Sequence, residues 1–100
     1  MILYNVTIGI DKALEQEWVT WMKEKHIPDV MKTGIFVENR FYKVLSNEDE
    51  TTSSYCVQYL TPSIELFNKY LKIFVPSLEE EHKQKYKDRH VAFRTLLEEV

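Results

Sequence analysis

The 100-residue sequence has a single cysteine, Cys56, which excludes an intrachain disulfide and a thiolate metal cluster and fits a reducing, cytoplasmic compartment. It has two glycines, and neither Gly9 nor Gly34 stands in the closely spaced pattern by which backbone amides cradle a phosphate. No stretch approaches the roughly 20 apolar residues of a membrane span. Met1 is not followed by a basic stretch, a long apolar core and a small-residue cleavage site, so a secretory leader is not expected. Positive charge is not in excess: 13 Lys and Arg against 16 Asp and Glu leave a formal net charge of −3, and the bases are dispersed. Nucleic-acid binding depends on a concentrated basic surface that displaces counterions, so no nucleic-acid partner is expected. No two histidines have the four-residue spacing of a helical zinc site, and no cofactor fingerprint is present, so neither metal nor cofactor is expected.

What is present is apolar periodicity. Ile2, Tyr4, Val6, Ile8 and Ile10 alternate with Leu3, Asn5, Thr7 and Gly9, the two-residue period of a strand with one oily face. Asp11 is placed to cap a helix reaching about Lys25, in which Leu14, Trp18, Trp21 and Met22 recur at three- and four-residue steps. Residues 26–34 read as a second short helical turn, entered at Pro28 and closed by Gly34. Residues 35–45 and 52–60 alternate again and predict a hairpin around a turn at 46–51. Thr61-Pro62 starts a helix whose stripe includes Ile64, Phe67, Tyr70 and Phe74; Pro76 interrupts it, and Leu78, His82 and Tyr86 follow at four-residue spacing. Residues 89–100 read as a last strand.

This order predicts one α+β domain over residues 1–100: a ferredoxin-like βαββαβ unit with a four-stranded antiparallel sheet and its helices on one face. If the more apolar side of each strand faces the helices, the other face carries Leu3, Phe36, Tyr42, Val44, Cys56, Leu60, Ala92 and Leu96. With them come Asn5, Thr7, Glu38, Arg40, Gln58 and Arg94. So much apolar area on a sheet face predicts a homodimer packed sheet to sheet.

Asn5, Arg40, Tyr42, Gln58 and Arg94 are the candidate ligand-binding residues, because they are polar groups on a face that should otherwise be dry. Two readings stand: Glu38 neutralises Arg40 or Arg94 within the protein, or the two planar guanidinium groups hold an anionic or carbonyl group of a small, partly apolar ligand. His26 is the one candidate for catalysis, as a general base; the competing role is a cap at the end of the first helix. His82 reads as a packed histidine, and His90 has no functional argument. Trp18 and Trp21 read as helix core, and Cys56 as a small buried side chain.

The segments Ile2-Leu3-Tyr4-Asn5-Val6-Thr7, His26-Ile27-Pro28 with Thr33-Gly34, and Phe93-Arg94-Thr95-Leu96-Leu97, with residues 18–22 and 55–59, resemble an uncharacterised family of short bacterial proteins within the dimeric α/β-barrel superfamily. The resemblance spans nearly the whole chain, implies the dimeric barrel fold and brings no established activity. The superfamily includes cofactor-free monooxygenases, haem-degrading monooxygenases, lactone isomerases and stress-related proteins. Asn5 resembles an asparagine on the first strand of the haem-degrading members; their sheet tryptophan and iron-binding histidine are not matched in position, since Trp18 and Trp21 lie on the first helix and His82 follows Pro76. The expectation is a small-molecule-binding homodimer. Alternatives are a cofactor-independent monooxygenase or isomerase using the same cavity, and a purely structural dimer.

Overall fold

The computed structural model describes residues 1–46 and 49–100, so the expected turn at 46–51 falls partly outside the described residues. Strand β1 (Ile2–Asp11) leads into a single 3-10 turn (Lys12–Leu14) and helix α1 (Glu15–Trp21). A π-helical turn (Met22–His26) joins α1 to α2 (Ile27–Met31). Strands β2 (Glu38–Lys43) and β3 (Thr52–Thr61) follow, then α3 (Ile64–Ile73), α4 (Val75–Lys85) and β4 (His90–Glu98). The sheet order is β2-β3-β1-β4, with all three pairings antiparallel. This is the ferredoxin-like arrangement, in which each helical segment crosses over between strands separated by another strand.

Local chemistry accounts for most boundaries. The Asp11 carboxylate accepts from the Ala13 amide at 2.9 Å and starts the first helical turn. Ser63, in extended backbone, caps α3 by accepting from the Leu66 amide at 3.3 Å. Pro76 lies in the first turn of α4, where its missing N–H costs nothing, so it begins a new helix after a break at Phe74. Gly34 takes a φ of 77° after α2, a region open to glycine.

The helix-facing side of the sheet carries Ile2, Tyr4, Val6, Ile8 and Ile10 of β1 and Tyr55, Val57, Tyr59 and Thr61 of β3. Tyr4 centres an aromatic cluster, with Phe36, Tyr59, Phe67 and Tyr70 at ring-centroid distances of 4.9 to 6.2 Å. At the other end, Trp18 is fully buried against Phe41 and Tyr55. Glu15 ties α1 to the sheet: its carboxylate accepts from Ser53 at 2.9 Å and from Tyr55 at 2.5 Å and pairs with Lys43 at 3.2 Å.

Three expectations are corrected. On β4 the sides are exchanged: His90, Ala92, Arg94 and Leu96 stand opposite Ile10, Ile8, Val6 and Tyr4 and so face the helices, while Val91, Phe93, Thr95 and Leu97 face outward. The oilier side of this edge strand is the outer one because its inner side borders a cavity rather than packed core. Phe36 lies before β2, not within it, and is 4% exposed among the core aromatics; Val44 lies just beyond β2. His26 does not end a helix, because the chain continues through α2 to Met31, so no carbonyl-rich terminus is there for it to cap.

Thr61, fully buried at the end of β3, donates from Oγ1 to the Ile35 carbonyl at 2.8 Å and ties the loop after α2 to the sheet. Thr61→Val keeps the shape and leaves that acceptor with one partner fewer. It should lower unfolding stability by about 1–3 kcal/mol in urea denaturation, whereas Thr61→Ser should cost less.

Candidate functional site

A cavity of about 180 Å³ lies between the helix-facing side of the sheet and the helices, and opens beside β4 and α4. Its apolar walls come from Val6 and Ile8 of β1, Val57 of β3, Met22 in the π turn and Val30 of α2. The space exists because β4 contributes only a methyl group at Ala92, between the longer side chains of His90 and Arg94. A cavity of roughly 150 Å³ suffices for one benzene ring, so this one suits a compact, single-ring or short-chain molecule.

One end of the cavity is rich in hydrogen-bond donors. Arg94 donates from Nε to the Tyr4 hydroxyl oxygen at 2.9 Å, and its guanidinium forms an ion pair with Glu79 of α4. The Tyr4 proton remains free to be donated. Tyr59 and Tyr70 line the same space, and among the described residues neither hydroxyl forms a hydrogen bond. Burial raises the pKa of Tyr4, Tyr59 and Tyr70, and their mutual proximity adds to the effect at Tyr59 and Tyr70. All three therefore stay protonated near neutral pH.

The other end gathers all three histidines. The Trp18 indole donates from Nε1 to His82 Nε2 at 3.0 Å, so His82 carries its proton on Nδ1 and is neutral. His90 Nδ1 lies 2.8 Å from the Tyr86 carbonyl oxygen, which can only accept, so His90 carries a proton on Nδ1. Ring centroids are 4.5 Å apart for His82 and His90 and 5.8 Å for His82 and His26, and His26 stacks on Trp21. Among the described residues the rings do not form a metal-ligand group. Burial lowers the His26 pKa, and burial, helped by His90, His26 and Arg94, pushes His82 down to about 3.

Of the residues expected from sequence, Arg94 and His26 line this cavity. Asn5, Arg40, Tyr42 and Gln58 lie on the opposite face of the sheet. There Asn5 donates to Thr7 at 3.1 Å, Thr7 lies 3.6 Å from the Cys56 sulfur, and Arg40 pairs with Glu38. Arg40 and Gln58 border a shallow depression on that face with Leu3 and Leu60, while Tyr42 stands half exposed. The expected constellation is thus divided by the thickness of the sheet. Sequence reasoning missed Tyr4, Tyr59, Tyr70, Glu79, His82 and His90. The usable signal was the inward stripe of Leu78, His82 and Tyr86, which aims an imidazole at the sheet.

A haem in the manner the superfamily resemblance suggests does not fit these residues. Asn5 is on the far side of the sheet from the cavity, and the His82 lone pair is already taken by Trp18.

The neutral His82 has a consequence for stability. Below about pH 6.5 the unfolded chain takes up a proton that folded His82 refuses until about pH 3, so stability falls as pH drops through that window and levels off above it. His26 acts in the same direction. His82→Gln, whose amide oxygen still accepts from Trp18, should flatten the dependence in urea denaturation between pH 4 and 7. An unaltered slope would contradict a neutral, buried His82.

Comparison with known proteins returned no curated protein. Among solved structures, HapK from Hahella chejuensis superposes with a TM-score of 0.74 at 12% identity, covering 100% of this chain and 93% of that one. A mutant of MhuD with two manganese protoporphyrin IX molecules bound per active site superposes at 0.73 with 14% identity, covering 100% and 95%. A dimeric ferredoxin-like protein from an uncultured marine organism superposes at 0.68 with 13% identity, also covering 100% and 95%. At these identities the likeness is one of fold, the ferredoxin-like arrangement of sheet and helices. A family model matches residues 1–100, and the chain belongs to the family described as Domain of unknown function (DUF4286).

Proposed function

We propose that the protein is a cytoplasmic homodimer that binds a small, partly apolar molecule through a carbonyl or carboxylate group in the cavity between sheet and helices. The observation that carries this reading is the pairing of apolar walls with the hydroxyls of Tyr59 and Tyr70, which have no hydrogen-bond partner among the described residues. Ligand sites combine a mostly apolar surface with a few convergent polar groups. Because Glu79 neutralises Arg94, the donor end offers directed hydrogen bonds more than free positive charge, and Lys83 at the rim adds the cation a carboxylate would meet.

Benzoylformate, one ring with a ketone and a carboxylate, is a suitable probe. Titration calorimetry should give one site per chain; Ala92→Phe should fill the gap and abolish binding, while Arg40→Met on the outer face should leave it within a few-fold. Equal binding by Ala92→Phe, or dependence on Arg40 instead, overturns the reading.

The dimer is supported by the outer face. Val91 is 71% exposed, Phe93 62% and Leu97 46%, beside half-buried Leu3, Cys56 and Leu60, so that two apolar patches flank the polar row of Thr95, Asn5 and Gln58 on one side of the sheet. The dimeric ferredoxin-like protein of the same fold accords with this. Sedimentation should give about twice the chain mass of 12.0 kDa. Phe93→Glu should yield monomer or aggregate, and a wild-type monomer at micromolar concentration would end the proposal.

A further inference from the structure

A groove between α1 and the end of α4 lies outside the cavity and shares no lining residue with it. One side is a single helical stripe, Glu17, Thr20, Trp21 and Glu24, at three- and four-residue steps; Lys85 and Tyr86 form the other. The Trp21 and Tyr86 rings meet edge to face, with centroids 5.6 Å apart. The Lys85 ammonium stands 6.0 Å from the Trp21 centroid and 5.8 Å from that of Tyr86. One position in the groove is thus within cation–π reach of two aromatic rings at once. Lys85 marks this position but is weakly held in it, being exposed and forming no ion pair among the described residues. Glu17 and Glu24 are exposed and form no ion pair either, so two carboxylates stand against one ammonium. Tyr86 is an independent pointer to a ligand. It is 1% exposed, yet it lines the groove, and its buried hydroxyl has no hydrogen-bond partner among the described residues. Burial raises its pKa and the Glu17 carboxylate across the groove adds to the effect, so the phenol keeps a proton to donate. Buried polar groups are nearly always paired, and an orphan beside an open groove calls for a partner from outside.

We propose that this groove binds a small organic cation of the amino-alcohol type. Its ammonium takes the place of the Lys85 ammonium beside Trp21 and Tyr86, facing Glu17 and Glu24, and its hydroxyl oxygen accepts from Tyr86. Such a ligand gains what Lys85 lacks, contact with the carboxylates and with the orphan phenol. Lys85 gives up contacts at the limit of cation–π range and regains rotamer freedom in water. The same carboxylates repel a phosphate, so the ligand is the free amino alcohol and not its phosphate ester. Binding here is independent of ligand binding in the cavity.

The probe is choline, set against tetramethylammonium, a cation without the hydroxyl, and dimethylbutanol, the uncharged isostere with carbon in place of nitrogen. In proton NMR of the whole protein, millimolar choline should shift the Trp21 ring signals and leave those of buried Trp18 in place. Dimethylbutanol should bind at least tenfold more weakly. Glu17→Gln should weaken choline severalfold, and Lys85→Met, which vacates the position between the rings, should tighten it severalfold; both residues are exposed, so the fold is retained. Tyr86→Phe removes an unpaired buried hydroxyl and should leave the unfolding midpoint unchanged or higher. It should weaken choline severalfold and leave tetramethylammonium as it was. Absence of a choline-induced shift in both wild type and Lys85→Met overturns the proposal, and so does equal binding of dimethylbutanol. Phosphocholine binding more tightly than choline overturns the choice of the free amino alcohol, and unaltered choline affinity in Tyr86→Phe overturns the hydroxyl contact.

Discussion

The pairing of β4 against β1 decides what the protein can hold. With Val6 opposite Arg94 and Ile10 opposite His90, the guanidinium, the methyl of Ala92 and the imidazole all stand on the side toward the helices. Strand side chains alternate strictly, so a slip of one residue would turn Val91, Phe93, Thr95 and Leu97 inward and expel every polar group of the cavity's open wall. The outer backbone contacts at either end, Asp11 N to the Arg89 carbonyl at 3.1 Å and Glu99 N to the Met1 carbonyl at 3.1 Å, extend the ladder in this register. The Arg89–Asp11 side-chain pair braces the same end.

Much of the architecture was readable because it follows from local rules. The alternation in β1 and in residues 52–60, the cap at Asp11, the break near Pro76 and the stripe of His82 and Tyr86 each appear in the structure where chemistry puts them. The face of β4 was not readable. The rule that a strand turns its oilier side to the helices holds for central β1 and for β3 but not for an edge strand whose inner side borders open space. Arg94 was thereby grouped with Arg40, although the two are separated by the sheet. The ion pair of Arg94 with Glu79 links β4 to a helix that crosses beneath it, and no sequence spacing announces such a contact. His26 was misread for another reason: a helix that widens by one residue looks, in sequence, like a helix that stops.

Electrostatically the site is nearly neutral, and this follows from local pairing. Each arginine has a carboxylate partner: Arg40 with Glu38, Arg89 with Asp11 and Arg94 with Glu79. Burial keeps His26 and His82 uncharged and the cavity tyrosines protonated. What remains, apart from Lys83 at the rim, is direction rather than charge. A guanidinium has five N–H donors, so donating to one carboxylate and to one phenol oxygen does not exhaust it.

The π turn at Met22–His26 bears on how such a site is acquired. The Ile27 amide bonds to the Met22 carbonyl five residues back, the signature of one residue more than a regular helix would hold. At roughly 100° per residue, that single extra position rotates everything after it relative to everything before. It lets Trp18 ahead of it, Met22 at its start, and Ile27 and Val30 beyond it all reach the interior. A relative lacking one residue in this segment would keep the fold yet present a different side chain where His26 now stands. Length variation at this point, rather than substitution, is therefore the simplest route by which this scaffold changes the lining of its cavity.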